Sequence, residues 1–184
     1  AVEDIDEPLA EDILCRLEVI PITVEPDIKK GFSCFDVNET GNIILGFDLG
    51  KKDVVLAYDS NGIFLFGFSL MDNGAFGLEW SENDIIVYRV RSDLAICLNS
   101  IGECIDIKRI SSTSNNHDYW NSEIYANERF LNDHVYLADN FGLNSKWLRW
   151  GTYMRLSKVL PSGEHIVLFD QTQEVTKNLL SILS

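Results

Sequence analysis

Short apolar stretches separated by polar turns recur along most of the chain. Two of them flank Gly62 in Tyr58-Asp-Ser-Asn-Gly62-Ile-Phe-Leu-Phe. The same form returns in Leu98-Asn-Ser-Ile-Gly102-Glu-Cys-Ile-Asp and in Val159-Leu-Pro-Ser-Gly163-Glu-His-Ile-Val. An apolar residue lies four positions before each glycine, and glycine suits the positive φ that ends a tight hairpin loop. The pattern predicts three β-hairpins.

A second pair of stretches precedes each hairpin. Phe35-Asp-Val-Asn-Glu-Thr-Gly-Asn-Ile43 stands before the first and Leu78-Glu-Trp-Ser-Glu-Asn-Asp-Ile85 before the second. Before the third, Asp133-His-Val-Tyr-Leu137 fills this place, followed by a longer gap that requires an insertion around Gly142. The sequence therefore predicts an all-β domain over 13–170. Its units are antiparallel four-strand meanders of about 40 residues, at 32–70, 75–110 and 129–170.

The N-terminal residues differ from these units. Residues 1–12 contain six acidic residues and no basic one. Such a block predicts a solvated, flexible terminus, with an acidic arm for a basic partner as the alternative. The apolar run that follows, residues 13–24, is expected to add one or two strands and to complete a further unit.

The C-terminal residues 171–184 change period. Val175, Leu179 and Ile182 fall at i, i+4 and i+7, and Asp170 and Gln173 have the spacing of a capping box. The pattern predicts a short amphipathic helix that covers one end of the sheets. A helix facing a partner or a membrane is the alternative, although the segment lacks a basic face.

Charge narrows the choice of partners. Acidic residues number 29 against 15 basic ones, which gives a net charge of −14. Such a surface repels nucleic acid and anionic membranes, so the expected partner is a protein or a small ligand. The same repulsion favours a monomer over a homodimer. The compartment stays open between the cytoplasm and an extracytoplasmic face, the second reached after removal of a signal or an anchor.

The four cysteines are Cys15, Cys34, Cys97 and Cys104. They form no Cys-x-x-Cys motif and no cluster with histidine, so no metal and no cofactor is expected. Cys97 and Cys104 lie at equal distances from the point between Ser100 and Ile101. This spacing predicts that they are cross-strand neighbours, either as free thiols or as a disulfide.

Other candidate chemistry is weak. Asp36-x-Asn-x-Thr-Gly41 resembles the start of a calcium loop, but Phe47 stands at the twelfth position, where such a loop needs glutamate. We interpret it as a hairpin turn. His117, His134 and His165 each adjoin an acidic residue, yet no Gly-x-Ser-x-Gly elbow accompanies them. No catalytic residue is predicted.

A group of aromatic residues and one arginine lies in or near the irregular third unit. Aromatic and arginine side chains are the usual anchors of interfaces. Core packing between units is the alternative. The candidate ligand- or partner-binding residues are Trp120, Trp147, Arg149, Trp150 and Tyr153.

The repeated form resembles the blades of bacterial NHL- and quinoprotein-type β-propellers. The residues that carry the resemblance are Phe35-Asp with Gly41-Asn-Ile and Tyr58-Asp-Ser-Asn-Gly-x-Phe-Leu. The stretch from Tyr58 to Arg91 is also similar to small bacterial propeller-like proteins, some of them membrane-anchored. The resemblance covers about residues 32–110 and implies a propeller-like fold. The expected function is a non-enzymatic binding or scaffold module. A carboxylate-dependent hydrolase and an extracytoplasmic sensor domain are the alternatives.

Overall fold

The computed structural model describes residues 2–71, 74–89, 92–111, 119, 122, 124–140 and 152–172, without the side chains of residues 7, 8, 11, 15 and 16. Within these residues the chain forms three antiparallel β-sheets and one helix. The predicted all-β class and the antiparallel pairing are confirmed.

The first sheet has the strand order β2-β6-β5-β4-β3. Strands β3 to β6 form a meander in which each strand pairs with the next. β2 joins from the N-terminal side by pairing with β6. The strands are β2 (Val19–Ile22), β3 (Cys34–Val37), β4 (Ile43–Asp48), β5 (Asp53–Tyr58) and β6 (Phe64–Leu70).

The second sheet repeats this plan in the order β1-β10-β9-β8-β7. Its meander runs from β7 to β10, and β1 pairs with the last strand, β10. The strands are β1 (Val2–Asp4), β7 (Phe76–Ser81), β8 (Asp84–Arg89), β9 (Leu94–Leu98) and β10 (Cys104–Ile110).

The third sheet has the order β11-β12-β13-β14. Its first two strands are joined by a tight turn, and its last two by the turn that contains Gly163. The strands are β11 (Glu128–Leu131), β12 (His134–Asp139), β13 (Arg155–Val159) and β14 (His165–Asp170).

The N-terminal segment carries regular structure that the sequence did not predict. Helix α1 (Glu7–Arg16) occupies residues expected to be a flexible terminus and, from 13 to 16, a strand. Pro8 stands in the first turn, where its missing N–H leaves no hydrogen bond unmade. Of residues 13–24, only β2 is a strand. No helix within the described ranges is long and apolar enough to cross a membrane.

The first sheet lies between the other two and packs on both of its faces. Its Ile44, Val55 and Phe68 belong to an apolar cluster with Leu78 and Ile96 of the second sheet. Residues of the opposite face pack against the third sheet; they include Phe35, Leu45, Leu56, Tyr136 and Leu156. The described core is therefore two apolar layers, one on each side of the first sheet.

The hairpin of β9 and β10 shows how the glycine turns set the pairing. Asn99 N–H donates to the carbonyl of Glu103 at 3.0 Å, and Gly102 N–H donates to that of Asn99 at 2.9 Å. Gly102 has a φ of +83°. The loop is thus residues 100–102, closed by Asn99 and Glu103, which is the three-residue type that needs a left-handed residue at its end.

This loop overturns the predicted cysteine register. Cys104 pairs with Leu98, and after a bulge Asp106 pairs with Cys97. Cys104 therefore shares the buried face of Leu98, while Cys97 lies on the other face of the sheet. The prediction failed because the left-handed Gly102 adds one residue to the C-terminal side of the loop. Cys34, Cys97 and Cys104 are free thiols.

Candidate functional site

The first strands of the three meanders meet at one carboxylate, Asp36 on β3. Its Oδ1 accepts a hydrogen bond from Arg129 Nε on β11 at 2.9 Å, and its Oδ2 accepts one from the backbone N–H of Trp80 on β7 at 2.8 Å. The side chains of Arg129 and Asp36 are only 13% and 15% exposed. Asp36 therefore joins the three sheets and does not cap the neighbouring turn, which Asn38 caps alone.

All five N–H groups of the Arg129 guanidinium donate hydrogen bonds. Nη1 donates to the carbonyls of Ala126 and Glu128 at 3.0 and 2.9 Å. Nη2 donates to those of Phe35 and Ile124 at 2.9 and 3.3 Å. The guanidinium also lies 4.9 Å from the centre of the Phe35 ring. Since an arginine has five N–H donors, none is left for a ligand.

The protonation of Asp36 reflects two opposed effects. Burial raises the pKa of its carboxyl group, because the charged form loses hydration. The Trp80 N–H and the Arg129 guanidinium lower the pKa in opposition to burial. With both oxygens engaged and its partner saturated, the Asp36–Arg129 pair acts as a structural junction.

A second carboxylate, Glu79 on β7, accepts two phenolic hydroxyls beside this junction. Tyr88 and Tyr119 donate to the same Oε2, at 2.5 and 2.8 Å. Burial, followed by the hydrogen bond to Glu79, raises the pKa of both tyrosines well above the usual range. Both phenols therefore stay protonated near neutral pH and can act as donors but not as bases.

A cleft opens between the first and third sheets. Its volume is about 290 Å³, and the segment between β2 and β3 borders it. Phe47 and Leu56 of the first sheet and Phe169 of the third form its apolar walls. The rings of Phe47 and Phe169 meet edge to face, with centroids 5.8 Å apart. The described residues that line it are Glu25, Pro26, Asp27, Ile28, Phe47, Leu56, Tyr58, Phe169 and Gln171.

The polar groups of this cleft lie at its rim. Tyr58 donates its hydroxyl to Glu25 Oε1 at 2.9 Å, which orients the carboxylate. Burial raises the pKa of Tyr58, and the hydrogen bond to Glu25 raises it further. Asp27 lies 3.6 Å from Lys29 Nζ, with both side chains largely exposed. Gln171 is fixed by its backbone N–H, which donates to the carbonyl of Met154 at 2.8 Å.

A second groove, of about 310 Å³, lies between α1 and β10. Its described lining is mostly apolar, and its acidic groups are Asp4 and Asp106. Both carboxylates lie near Lys108 Nζ, at 4.0 and 3.3 Å. Lys108 faces both carboxylates of this groove, whereas the Glu25 carboxylate is held by a neutral hydroxyl, so the cleft at Glu25 is the stronger candidate.

Of the binding residues predicted from sequence, the structure describes Tyr153. Its ring packs against Phe32 with centroids 5.5 Å apart, and its backbone pairs with that of Phe32. Its hydroxyl donates to the carbonyl of Tyr125 at 3.4 Å, and burial raises its pKa. These contacts join the chain before β3 to the third sheet. The predicted binding residues Trp120, Trp147, Arg149 and Trp150 lie outside the described residues, as does the helix predicted after Thr172.

Two histidines are described. His134 Nδ1 lies 3.2 Å from Asp133 Oδ1, the residue before it, and His165 is exposed on β14. His117 is outside the described residues. Across the described part of the chain, no group of three or more His, Cys, Asp or Glu residues is placed to hold a metal ion.

The sequence pattern did not identify Tyr58 and Glu25 as a pair. Tyr58 occupies the position four before the hairpin glycine, where the equivalent residues are Leu98 and Val159. The available signal was a side chain with a hydroxyl group at a position where the other two repeats have leucine and valine. Nothing in the sequence placed Glu25 beside it, because the two are 33 positions apart.

Comparison with known proteins adds no assignment. A scan against models of known protein families finds no match to this chain. A search of curated proteins finds no significantly similar sequence.

Proposed function

We propose that this chain is a ligand-binding module of β-propeller-like architecture. Three four-strand meanders support the architecture, because their first strands β3, β7 and β11 converge on Asp36 while their later strands lie farther out. Face-to-face packing of the first sheet against both neighbours also fits blades arranged around an axis.

The cleft between the first and third sheets is the observation that carries the binding role. Part of its wall comes from strands β4, β5 and β14, and that part of its shape is held by hydrogen-bonded sheets. It combines apolar walls with a few convergent polar groups, as ligand sites usually do. Phe47, Leu56 and Tyr58 are almost completely buried, while the Glu25 side chain is exposed at the rim. A ligand entering there gains apolar contact with the half-buried Ile28 and Phe169, and Glu25 offers it a charged hydrogen-bond partner.

The Asp36 junction supports this role indirectly. With both carboxylate oxygens and all five arginine donors engaged, it fixes the relative position of the sheets. A cleft between two sheets keeps its shape only if the sheets do not move apart. The junction supplies that rigidity and leaves recognition to the cleft.

A fragment screen by two-dimensional NMR tests the proposal. Fragments of mixed charge are added to the whole chain, and amide shifts are followed at Leu56, Tyr58 and Gln171. Binders are expected to shift these amides and to leave those of β9, in the second sheet, unchanged. A screen in which no fragment shifts the cleft amides would overturn the proposal. Hydrolase turnover abolished by Glu25→Gln or Glu79→Gln would favour an enzyme.

A further inference from the structure

We infer that the cleft at Glu25 selects a small organic cation: an amine with an apolar group attached. The inference rests on the proposed function and names the class of ligand. It follows from three features of the cleft, namely its partly compensated negative charge, its apolar walls and its size.

The charge at the rim is negative and only partly compensated. Glu25 is held by the Tyr58 hydroxyl, a neutral donor, so the hydrogen bond orients the carboxylate without cancelling its charge. Asp27 faces Lys29 across 3.6 Å, but their side chains are 80% and 61% exposed, and such surface pairs are weak. No basic residue is among the described residues that line the cleft. With a net charge of −14, the protein as a whole also attracts cations.

The walls favour an organic cation over a metal ion. Calcium and magnesium need six or more oxygen ligands and gain nothing from hydrocarbon. Here the two carboxylates share the cleft with Ile28 and Phe169, whose side chains are half-buried, whereas Phe47 and Leu56 are fully buried. An alkyl or benzyl group gains apolar contact with Ile28 and Phe169, and an ammonium group close to the Phe169 ring is attracted to its π face.

The size of the cleft indicates how large a group it holds. A volume of about 290 Å³ corresponds to that of about ten liquid water molecules. An amine with one ring or a short alkyl chain fits this space. The ligand class is therefore a free primary amine of that size.

Three probes of similar shape separate charge from apolar contact: benzylamine, benzyl alcohol and benzoate. Binding to the full chain is measured by NMR titration at low and at physiological salt. Benzylamine is expected to bind about tenfold tighter than benzyl alcohol, the factor that one hydrogen bond to a charged group supplies. Benzoate is expected to show no binding. Higher salt is expected to weaken the binding of benzylamine and to leave that of benzyl alcohol unchanged.

The matched variants are Glu25→Gln and Glu39→Gln. Both glutamates are exposed, and Glu39 lies in the turn between β3 and β4, outside the cleft. Glu25→Gln is expected to bring benzylamine to the affinity of benzyl alcohol, while Glu39→Gln leaves it unchanged. Equal melting temperatures for both variants and the parent chain show that folding is intact.

The outcomes separate the two proposals. If benzyl alcohol or benzoate binds in the cleft as tightly as benzylamine, the cation inference is wrong and the binding role stands. Equal benzylamine affinity in Glu25→Gln and the parent chain also overturns the inference. If neither these probes nor any screened fragment shifts the cleft amides, both proposals fall.

Discussion

Arg129 donates from Nε to Asp36 Oδ1 at 2.9 Å across the boundary between the third and first sheets. The two residues are 93 positions apart in the sequence, and the second sheet adds the Trp80 N–H to the same carboxylate. One buried ion pair therefore joins elements that share no strand pairing. Removing one partner leaves the other as an uncompensated charge.

Replacing Arg129 by methionine is expected to lower the free energy of unfolding by about 3–5 kcal/mol, the usual cost of breaking a buried ion pair from one side. The matched control is Arg155→Met. Arg155 bonds to Asp139 at 3.0 Å, but within the third sheet and with side chains 23% and 27% exposed. Arg155→Met is expected to lower the free energy of unfolding by a smaller amount. Urea unfolding measures both values, and equal losses would contradict the joining role of Arg129.

Stability is expected to fall at high pH because of the buried tyrosines. Burial and nearby carboxylates raise the pKa of Tyr58, Tyr88 and Tyr119 in the folded chain. Unfolded tyrosines ionise at about pH 10. Above that pH the unfolded chain binds fewer protons than the folded one, so the free energy of unfolding decreases as pH rises. Below that pH the contribution is fully present.

Urea unfolding between pH 7 and pH 11 measures the slope of the free energy of unfolding against pH. Tyr88→Phe is expected to flatten it, since phenylalanine has no proton to lose. Tyr119→Phe is the milder control, because Tyr119 is more exposed than Tyr88. An unchanged slope in Tyr88→Phe would show that other groups control the alkaline limit.

The two glycine turns at Gly62 and Gly163 are matched sites for a steric test. Both have a φ of +83°. An added Cβ at Gly163 meets nothing within 4 Å, whereas at Gly62 it lies 3.2 Å from the Leu168 carbonyl oxygen. Gly163→Ala is expected to cost about 1–2 kcal/mol, from the left-handed backbone alone. Gly62→Ala is expected to cost more, because the third sheet blocks the methyl group.

Thermal unfolding of the two alanine variants compares them directly. A larger fall in melting temperature for Gly62→Ala shows that the Gly62 turn packs against β14. Equal falls would mean that Leu168 moves aside without cost, and the contact between these sheets would then be looser than the structure indicates.

Cys34 is expected to react with thiol reagents more slowly than Cys97 and Cys104. Cys34 is fully buried, and burial strongly raises its pKa, so neither access nor thiolate formation favours reaction. Cys97 and Cys104 are half-buried, and burial raises their pKa as well. Iodoacetamide followed by peptide mass spectrometry is expected to label these two before Cys34. Labelling of Cys34 at the same rate in the folded chain would contradict its burial.

Mild oxidation supplies a test of the pairing register. Because Cys97 and Cys104 lie on opposite faces of the sheet, no disulfide between them is expected. Non-reducing peptide mapping detects it if it forms. Rapid and complete formation would restore the register predicted from sequence.

The hairpins could be predicted from the sequence because the residues that determine each one lie close together in the chain. Each depends on apolar residues on either side of a turn, and the glycine identifies the turn itself. The pairing register of the strands could not be predicted as reliably. At Gly102 the left-handed residue and the bulge after Cys104 each shift the pairing, and neither shift changes the apolar pattern.

The candidate site was harder to predict because its residues come from distant segments. Glu25 lies in a connection without regular structure, and Phe169 lies on the last described strand. Asp36 looked like a turn residue because its neighbours Asn38 and Gly41 form a turn, whereas its own side chain bonds to another sheet. Helix α1 was missed because its acidic residues and proline were interpreted as signs of a flexible terminus.

The two strands contributed by the N-terminal segment constrain the order in which a nascent chain can fold. Each meander closes between neighbours, so it can form as soon as its own residues have emerged from the ribosome. β1 cannot do so, since Val2 pairs with Ile110 and must wait for the whole second sheet. β2 waits for β6, where Ile22 pairs with Gly67. β1 and β2 therefore reach their partners only after the meander that each one joins has emerged, at the cost of closing long loops.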